Sequence, residues 1–280
     1  MKFFAKKSLG QNFLIDKNIL NKIINVAPIK DKSILEIGPG TGNLTSYILK
    51  KNPKKFIVIE KDKNLVMDLK RLFKNKITII NQDILEVEEK LLANDKLNVF
   101  GNLPYNISTE ILCKWILNLD KKEFWFSNLI LMFQKEVADS YLCKPPKMKF
   151  LSNCIQIYSN PELILNVDPE SFEPMPNVKS SVINLILKPA KNIPKTPEKV
   201  ISTIKIGFDS PRKKIRNSFT GIERDNLPIG VSTEIISYGA LENLMRQDLD
   251  FNYSEYMTFY FINNPNLFSV NIYCITSIIT

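Results

Sequence analysis

Gly38-Pro39-Gly40-Thr41-Gly42, Glu60, Asn81-Gln82-Asp83 and Gly101-Asn102-Leu103-Pro104-Tyr105 each close a short apolar run, and each carries groups suited to a nucleotide. Glycines let a backbone approach a ligand closely, at the strand end where α/β sheets bind nucleotides. Glu60 lies twenty residues past Gly40, where a carboxylate accepts both hydroxyls of a ribose. A nicotinamide enzyme would share these features; the fourth motif separates the readings. An exocyclic amine on a purine is a poor nucleophile because its lone pair is delocalised into the ring. Acceptors that hold its protons favour a tetrahedral nitrogen, and the Asn102 amide oxygen and the Leu103 carbonyl, placed by the rigid Pro104, are such acceptors. Tyr105 offers a face for the base and for the positive charge that develops when a methyl group arrives. Taken singly, these are turn glycines, a helix cap at Asp83 and a proline turn. Four successive strand ends delivering polar groups to one sheet edge outweigh that plainer account.

Composition narrows the chemistry further. The 280 residues include 38 Lys+Arg, 29 Asp+Glu and no histidine, a net charge of +9. Ser-His-Asp and Cys-His nucleophiles and imidazole-ligated metals are therefore excluded. Alkyl transfer to an amine needs only alignment and electrostatics. Cys113, Cys143, Cys154 and Cys274 form no C-x-x-C pair, which predicts reduced thiols, no metal site and a cytoplasmic location. The first residues lack an apolar leader and no apolar run reaches membrane-spanning length, so a soluble chain is expected. Only Arg71, Arg212, Arg216, Arg224 and Arg246 are arginine; the excess charge is mostly lysine and suits a polyanionic partner.

The elements that must position these groups are legible as alternation. Ser33–Ile37, Lys55–Ile59, Lys76–Ile80, Leu97–Phe100 and Leu129–Phe133 read as buried strands, and Leu44–Lys51, Lys63–Phe73 and Thr109–Leu117 as helices between them. This predicts an α/β fold, a parallel sheet with helices on both faces. Asp16 is the expected N-cap of a preceding helix running to about Val26, and Ser181–Leu187 a last apolar strand. Residues 1–188 are read as the nucleotide-binding domain, 189–199, rich in proline and lysine, as a linker, and 200–280 as a small helical C-terminal domain.

Lys7-Ser8-Leu9-Gly10-Gln11-Asn12-Phe13-Leu14, Glu36-Ile37-Gly38-Pro39-Gly40, Val58-Ile59-Glu60-Lys61-Asp62, Gln82-Asp83, Asn102-Leu103-Pro104-Tyr105-Asn106-Ile107-Ser108 and Phe172-Glu173-Pro174-Met175-Pro176-Asn177-Val178 occur in that order. The set resembles the small-subunit ribosomal RNA adenine dimethyltransferases from about Lys6 to Pro189, and Arg212-Lys213-Lys214-Ile215-Arg216-Asn217 is similar to that family's basic helix. The resemblance implies a Rossmann-like fold, S-adenosylmethionine as methyl donor, and two adjacent adenosines near the 3′ end of small-subunit RNA as acceptors during ribosome assembly. It implies that Gln11, Asn12 and Leu14 close over the donor and that Gly38 and Gly40 admit its methionine part. Glu60 would hold the ribose, Asp83 the adenine amine, and Asn102 would lie between donor and acceptor. Phe172 would stack on the base opposite Tyr105, as flipped bases are commonly held.

Lys205, Arg212, Lys213, Lys214 and Arg216 are the candidate RNA-phosphate contacts, positioning rather than reading the RNA. The family's Gly-Arg pair before Leu-Ser is here Lys149-Phe150, and Pro211 stands where an arginine is usual. The expected partner is the assembling small subunit, met by a monomer. The alternatives are a large-subunit RNA methyltransferase of the antibiotic-resistance type, and a non-catalytic nucleic-acid-binding factor on the same scaffold.

Overall fold

A computed structural model describes residues 11–119, 124–144, 148–193, 201, 202, 204, 205 and 208. These divide between two compact units, one bounded by Met1–Leu142 and Ser159–Leu187, the other by Cys143–Tyr158 and Lys188–Thr280.

The first unit is built on a seven-stranded sheet. Its strands are β2 (Ser33–Ile37), β3 (Lys55–Ile59), β4 (Thr78–Ile80), β5 (Leu97–Asn102), β6 (Phe126–Gln134), β7 (Ser159–Val167) and β9 (Ser180–Leu187), in the spatial order β4-β3-β2-β5-β6-β9-β7. The pairs from β4 to β6 are parallel. Every residue of β2 is buried, as are five of the six in β5, so both faces of the central strands are covered. The connections hold α1 (Lys17–Ile23), α2 (Asn43–Leu49), α3 (Lys63–Phe73) and α4 (Ser108–Leu117), and α5 (Lys135–Leu142) follows β6 directly. Ile34, Val58, Phe100 and Ile130 from adjacent strands share one core cluster with Leu20 and Ile23 of α1 and Ile48 of α2.

Local sequence explains the element ends. The Asp16 carboxylate accepts from the Asn18 and Ile19 N–H groups at 2.7 and 3.1 Å, capping α1 as expected, although the helix ends at Ile23 and only turns continue to Val26. Gly42, at φ +82°, opens α2; a Cβ there would lie 2.6 Å from the Phe73 ring.

The expected parallel sheet requires one correction. Ser180–Leu187 does form a strand, but it runs antiparallel to β6, and β7, which the sequence reading passed over, runs antiparallel to it in turn. Pro161 and the polar residues of β7 argue against a buried strand; both are tolerated because β7 is the sheet's edge and pairs on one side only. A separate two-stranded sheet pairs β1 (Phe13–Leu14) antiparallel with β8 (Phe172–Glu173). In the second unit, α6 (Phe150–Tyr158) and a helical turn at Ala190–Asn192 are formed, and the Phe150 and Phe208 rings meet edge to face at 6.2 Å between centroids.

Candidate active site

The strand order reverses between β2 and β5, and in a doubly wound sheet the crevice beyond the carboxyl ends at that point is where ligands bind. Here β2 delivers Gly38 and β5 delivers Asn102. A cavity of ≈ 320 Å³ opens there, bounded by Gln11, Gly40, Glu60, Asp83, Asn102 and Tyr105 among others. Residues read from four separate motifs thus line one cavity.

Gly38 and Gly40 have φ of +61° and +58°, conformations that cost other residues strain. A Cβ on Gly40 would stand 2.8 Å from Phe13 Cδ1, so glycine is required for the turn to pass beneath β1. Glu60 is buried, and its two oxygens accept from the Gly40 N–H at 3.3 Å and the Asp62 N–H at 2.8 Å. Burial pushes its carboxyl above the ordinary range, while the N–H groups of Asp62 and Gly40 pull it down. Each oxygen keeps a further lone pair, the acceptor set that a ribose diol needs. Asp83 caps the turn Ile84–Glu86 through the Leu85 N–H and takes Lys61 Nζ at 2.6 Å; the Lys61 ammonium holds this carboxyl below the usual range.

The Asn102–Tyr105 corner is fixed in part from residues 11–14. Asn102 Nδ2 donates to the Asn12 carbonyl at 2.7 Å, which leaves its Oδ1 as the amide's acceptor. The corner closes on itself: the Ile107 N–H donates to the Pro104 carbonyl at 3.1 Å and Ser108 Oγ to the Tyr105 carbonyl at 3.2 Å. The Tyr105 hydroxyl is hydrogen-bonded to Ser180 Oγ of β9, and burial pushes the phenol up, so the ring is anchored and neutral. Gln11 Nε2 reaches Asp62 Oδ2 at 3.5 Å, and the Leu14 carbonyl accepts from Asn43 Nδ2 at 2.8 Å. The segment 11–14 is therefore tied to the N-cap of α3, the end of β5 and the start of α2.

Phe172, expected to stack on the base opposite Tyr105, is buried. It is 3% exposed, packed in the core cluster with Leu14, Met132 and Val182, and it does not line the cavity. The physical reason is β8, which pairs Phe172 with Leu14 and so buries the ring. Leu14 is likewise a core residue, 5% exposed, holding the segment rather than facing the cavity. Lys205 is exposed in the second unit, whereas Arg212, Lys213, Lys214 and Arg216 lie outside the described residues.

Several contributors were not read from sequence. Lys61 on Asp83, Asn43 on Leu14 and Ser180 on Tyr105 are ordinary polar residues whose roles depend on long-range pairing. Glu36, in the middle of buried β2, lines a smaller cavity of ≈ 30 Å³ with Gly38 and Asn102. It accepts from Thr45 Oγ1 at 2.7 Å, and burial raises its pKa to about 8. A charged residue inside an apolar strand was the available signal. Among the described residues no three His, Cys, Asp or Glu side chains form a metal-binding group, and no helix is long and apolar enough to cross a membrane. Cys113 is a free thiol.

A cavity at the switch point of this sheet, floored by left-handed glycines and facing an Asn-Leu-Pro-Tyr corner, defines a Rossmann-like S-adenosylmethionine-dependent methyltransferase. The chain belongs to the ribosomal RNA adenine dimethylase family, whose model matches residues 2–245. It is 49% identical over 222 residues to the ribosomal RNA small subunit methyltransferase A of Pelagibacter ubique, covering 78% of this chain and 84% of that one. With the protein of the same description from Ehrlichia canis the identity is 39% over 223 residues, covering 78% and 84%. Among solved structures, a dimethyladenosine transferase from Plasmodium falciparum superposes with a TM-score of 0.66 at 26% identity, covering 92% of this chain and 98% of that one. The 23S rRNA methyltransferase ErmE shares the fold, with a TM-score of 0.60 at 23% identity over 74% and 83%.

Proposed function

We propose that this enzyme dimethylates the exocyclic amines of two adjacent adenosines near the 3′ end of small-subunit ribosomal RNA, acting as a cytoplasmic monomer on the assembling subunit. The observation that carries the reading is the Asn102 amide, held by the Asn12 carbonyl in the lining of the cavity that Glu60 and Gly40 also line. The relatives' names supply the small subunit as the RNA.

The residues present fit the methyl donor: two left-handed glycines admit its methionine part, Glu60 has lone pairs for its ribose, and Asp83 and Leu85 flank the place for its adenine. S-adenosylmethionine, when bound, supplies an electrophilic methyl group on a sulfonium. Everything else is done by the chain. Asn102 Oδ1 and the Leu103 carbonyl accept hydrogen bonds from the two N–H groups of the target amine and favour a tetrahedral nitrogen, and the cationic nitrogen left by methylation sheds its proton to solvent water. Pro104, with its fixed φ, sets the direction of that carbonyl. The Tyr105 ring, anchored through Ser180, provides the stacking face and attracts the developing positive charge. Phe172 backs the clamp by locking β8 to β1. No general base of tuned pKa is required, consistent with a chain that has no histidine. Lys205, with Arg212, Lys213, Lys214 and Arg216, supplies phosphate contacts.

Asn102→Ala tests the reading. Label transfer from the donor to small subunits should fall about 100-fold or more, while binding of donor and RNA stays within a few-fold. Retained turnover in the variant would refute the role of the amide. Primer extension on both ribosomal RNAs identifies the substrate, and modification of the large-subunit RNA alone would overturn the assignment.

A further inference from the structure

The cavity wall formed by Asp83, Ile84 and Leu85 has little structure of its own. It belongs to a stretch of two single 3₁₀ turns, Ile84–Glu86 and Glu89–Leu91, that pairs with no strand. What holds it is a cluster reaching out from α4. Lys114 Nζ donates to the Ile84 carbonyl at 2.8 Å, the Val87 carbonyl at 2.5 Å and Glu89 Oε1 at 2.7 Å, using all three of its protons. Trp115 Nε1 donates to the same Glu89 oxygen at 2.7 Å. The pair is sequestered: the Glu89 side chain is 7% exposed, that of Lys114 23%, and Trp115 is buried. The net contribution of such a buried pair to stability is small against its desolvation.

What it fixes follows from the chain. α4 begins at Ser108, immediately after the Asn102–Ile107 corner, and Ser108 Oγ bonds back into that corner. The helix thus follows directly from the Asn102–Ile107 corner and, about two turns on, holds the Asp83–Leu85 part of the same cavity's lining. We propose that Lys114 is a positioning residue that, through the Ile84 and Val87 carbonyls and Glu89, sets the distance between the adenine-facing wall of the donor cavity and the Asn102–Tyr105 corner, touching neither donor nor RNA. This rests on the reading that the donor's adenine lies against Asp83.

The test compares Lys114→Met, Lys114→Met/Glu89→Gln and Asp83→Ala in the full-length enzyme. The double variant leaves no unpaired buried charge and keeps an acceptor for Trp115, so it carries the test if the single variant does not fold. S-adenosylhomocysteine binding is measured by calorimetry, and kcat and both KM values on small subunits by label transfer. The expected result is a dissociation constant and donor KM raised about tenfold, with kcat at saturating donor and the KM for subunits within about twofold. A folded double variant with unchanged donor affinity, or one that loses kcat alone, overturns the proposal. If Asp83→Ala also leaves donor affinity unchanged, the adenine placement is wrong and the proposal falls with it; if Asp83→Ala weakens binding and the Lys114 variants do not, only the role of Lys114 is lost.

Discussion

Replacing Gly40 by alanine should disable donor binding through a contact with β1 rather than by unfolding the sheet. Two costs are visible in the structure. Gly40 lies at φ +58°, where an L side chain costs about 1–2 kcal/mol. The new Cβ would also fall 2.8 and 2.9 Å from Phe13 Cδ1 and Cε1, and overpacking of this kind costs about 1–3 kcal/mol. The ring has little room to yield. Phe13 is paired with Glu173, its neighbour Leu14 is held by Asn43, and the Asn12 carbonyl is bonded to Asn102. The strain therefore goes into the segment that borders the cavity. At the lower end, about 2 kcal/mol, donor affinity falls about 30-fold by calorimetry. A double-mutant cycle isolates the contact: in a Phe13→Ala background the steric part disappears and only the backbone part remains, giving a coupling of about 1–3 kcal/mol. If Gly40→Ala is as damaging without the ring as with it, the steric reasoning is refuted.

Tyr105→Phe should keep most turnover, because the ring remains, whereas Tyr105→Ala should lose about 1–3 kcal/mol of base stacking, read as a raised KM for subunits; equal losses in the two variants would assign the role to the hydroxyl and Ser180 instead. Glu36 should make stability fall with pH. Its pKa is raised from 4.5 to about 8, so between those values the native state keeps a proton that the unfolded state releases, and stability drops by up to about 1.4 kcal/mol per pH unit before levelling above 8. Glu36→Gln, which still accepts from Thr45, should flatten that slope in urea midpoints measured from pH 5 to 8; an unchanged slope would place the titration elsewhere.

The central parallel strands were legible because each is a short apolar run bounded by polar or turn residues, a pattern set by burial on both faces. β7 was not, since an edge strand is half exposed and its proline and polar residues are compatible with a loop. The glycines, Glu60, Asp83 and the Asn-Leu-Pro-Tyr corner could be picked out because each chemistry admits few residue types. The burial of Phe172 was not legible, as its local context of prolines is that of a loop and its burial comes from pairing with Leu14, 158 positions earlier in the chain. Lys114 and Glu89 carried no local signal at all, being a lysine on a helix and a glutamate in an acidic stretch until folding brings them to 2.7 Å.

Residue type and spacing were enough to determine the nucleotide-binding sheet, the exclusion of imidazole chemistry and a set of polar groups that line one cavity, because those depend on side-chain chemistry and on periodicities of two and 3.6 residues. Only the tertiary structure decided which hydrogen bonds aim those groups, which aromatic is buried, and what holds the cavity's loosest wall. These are matters of distance between segments far apart in the chain, and a linear sequence does not contain distances.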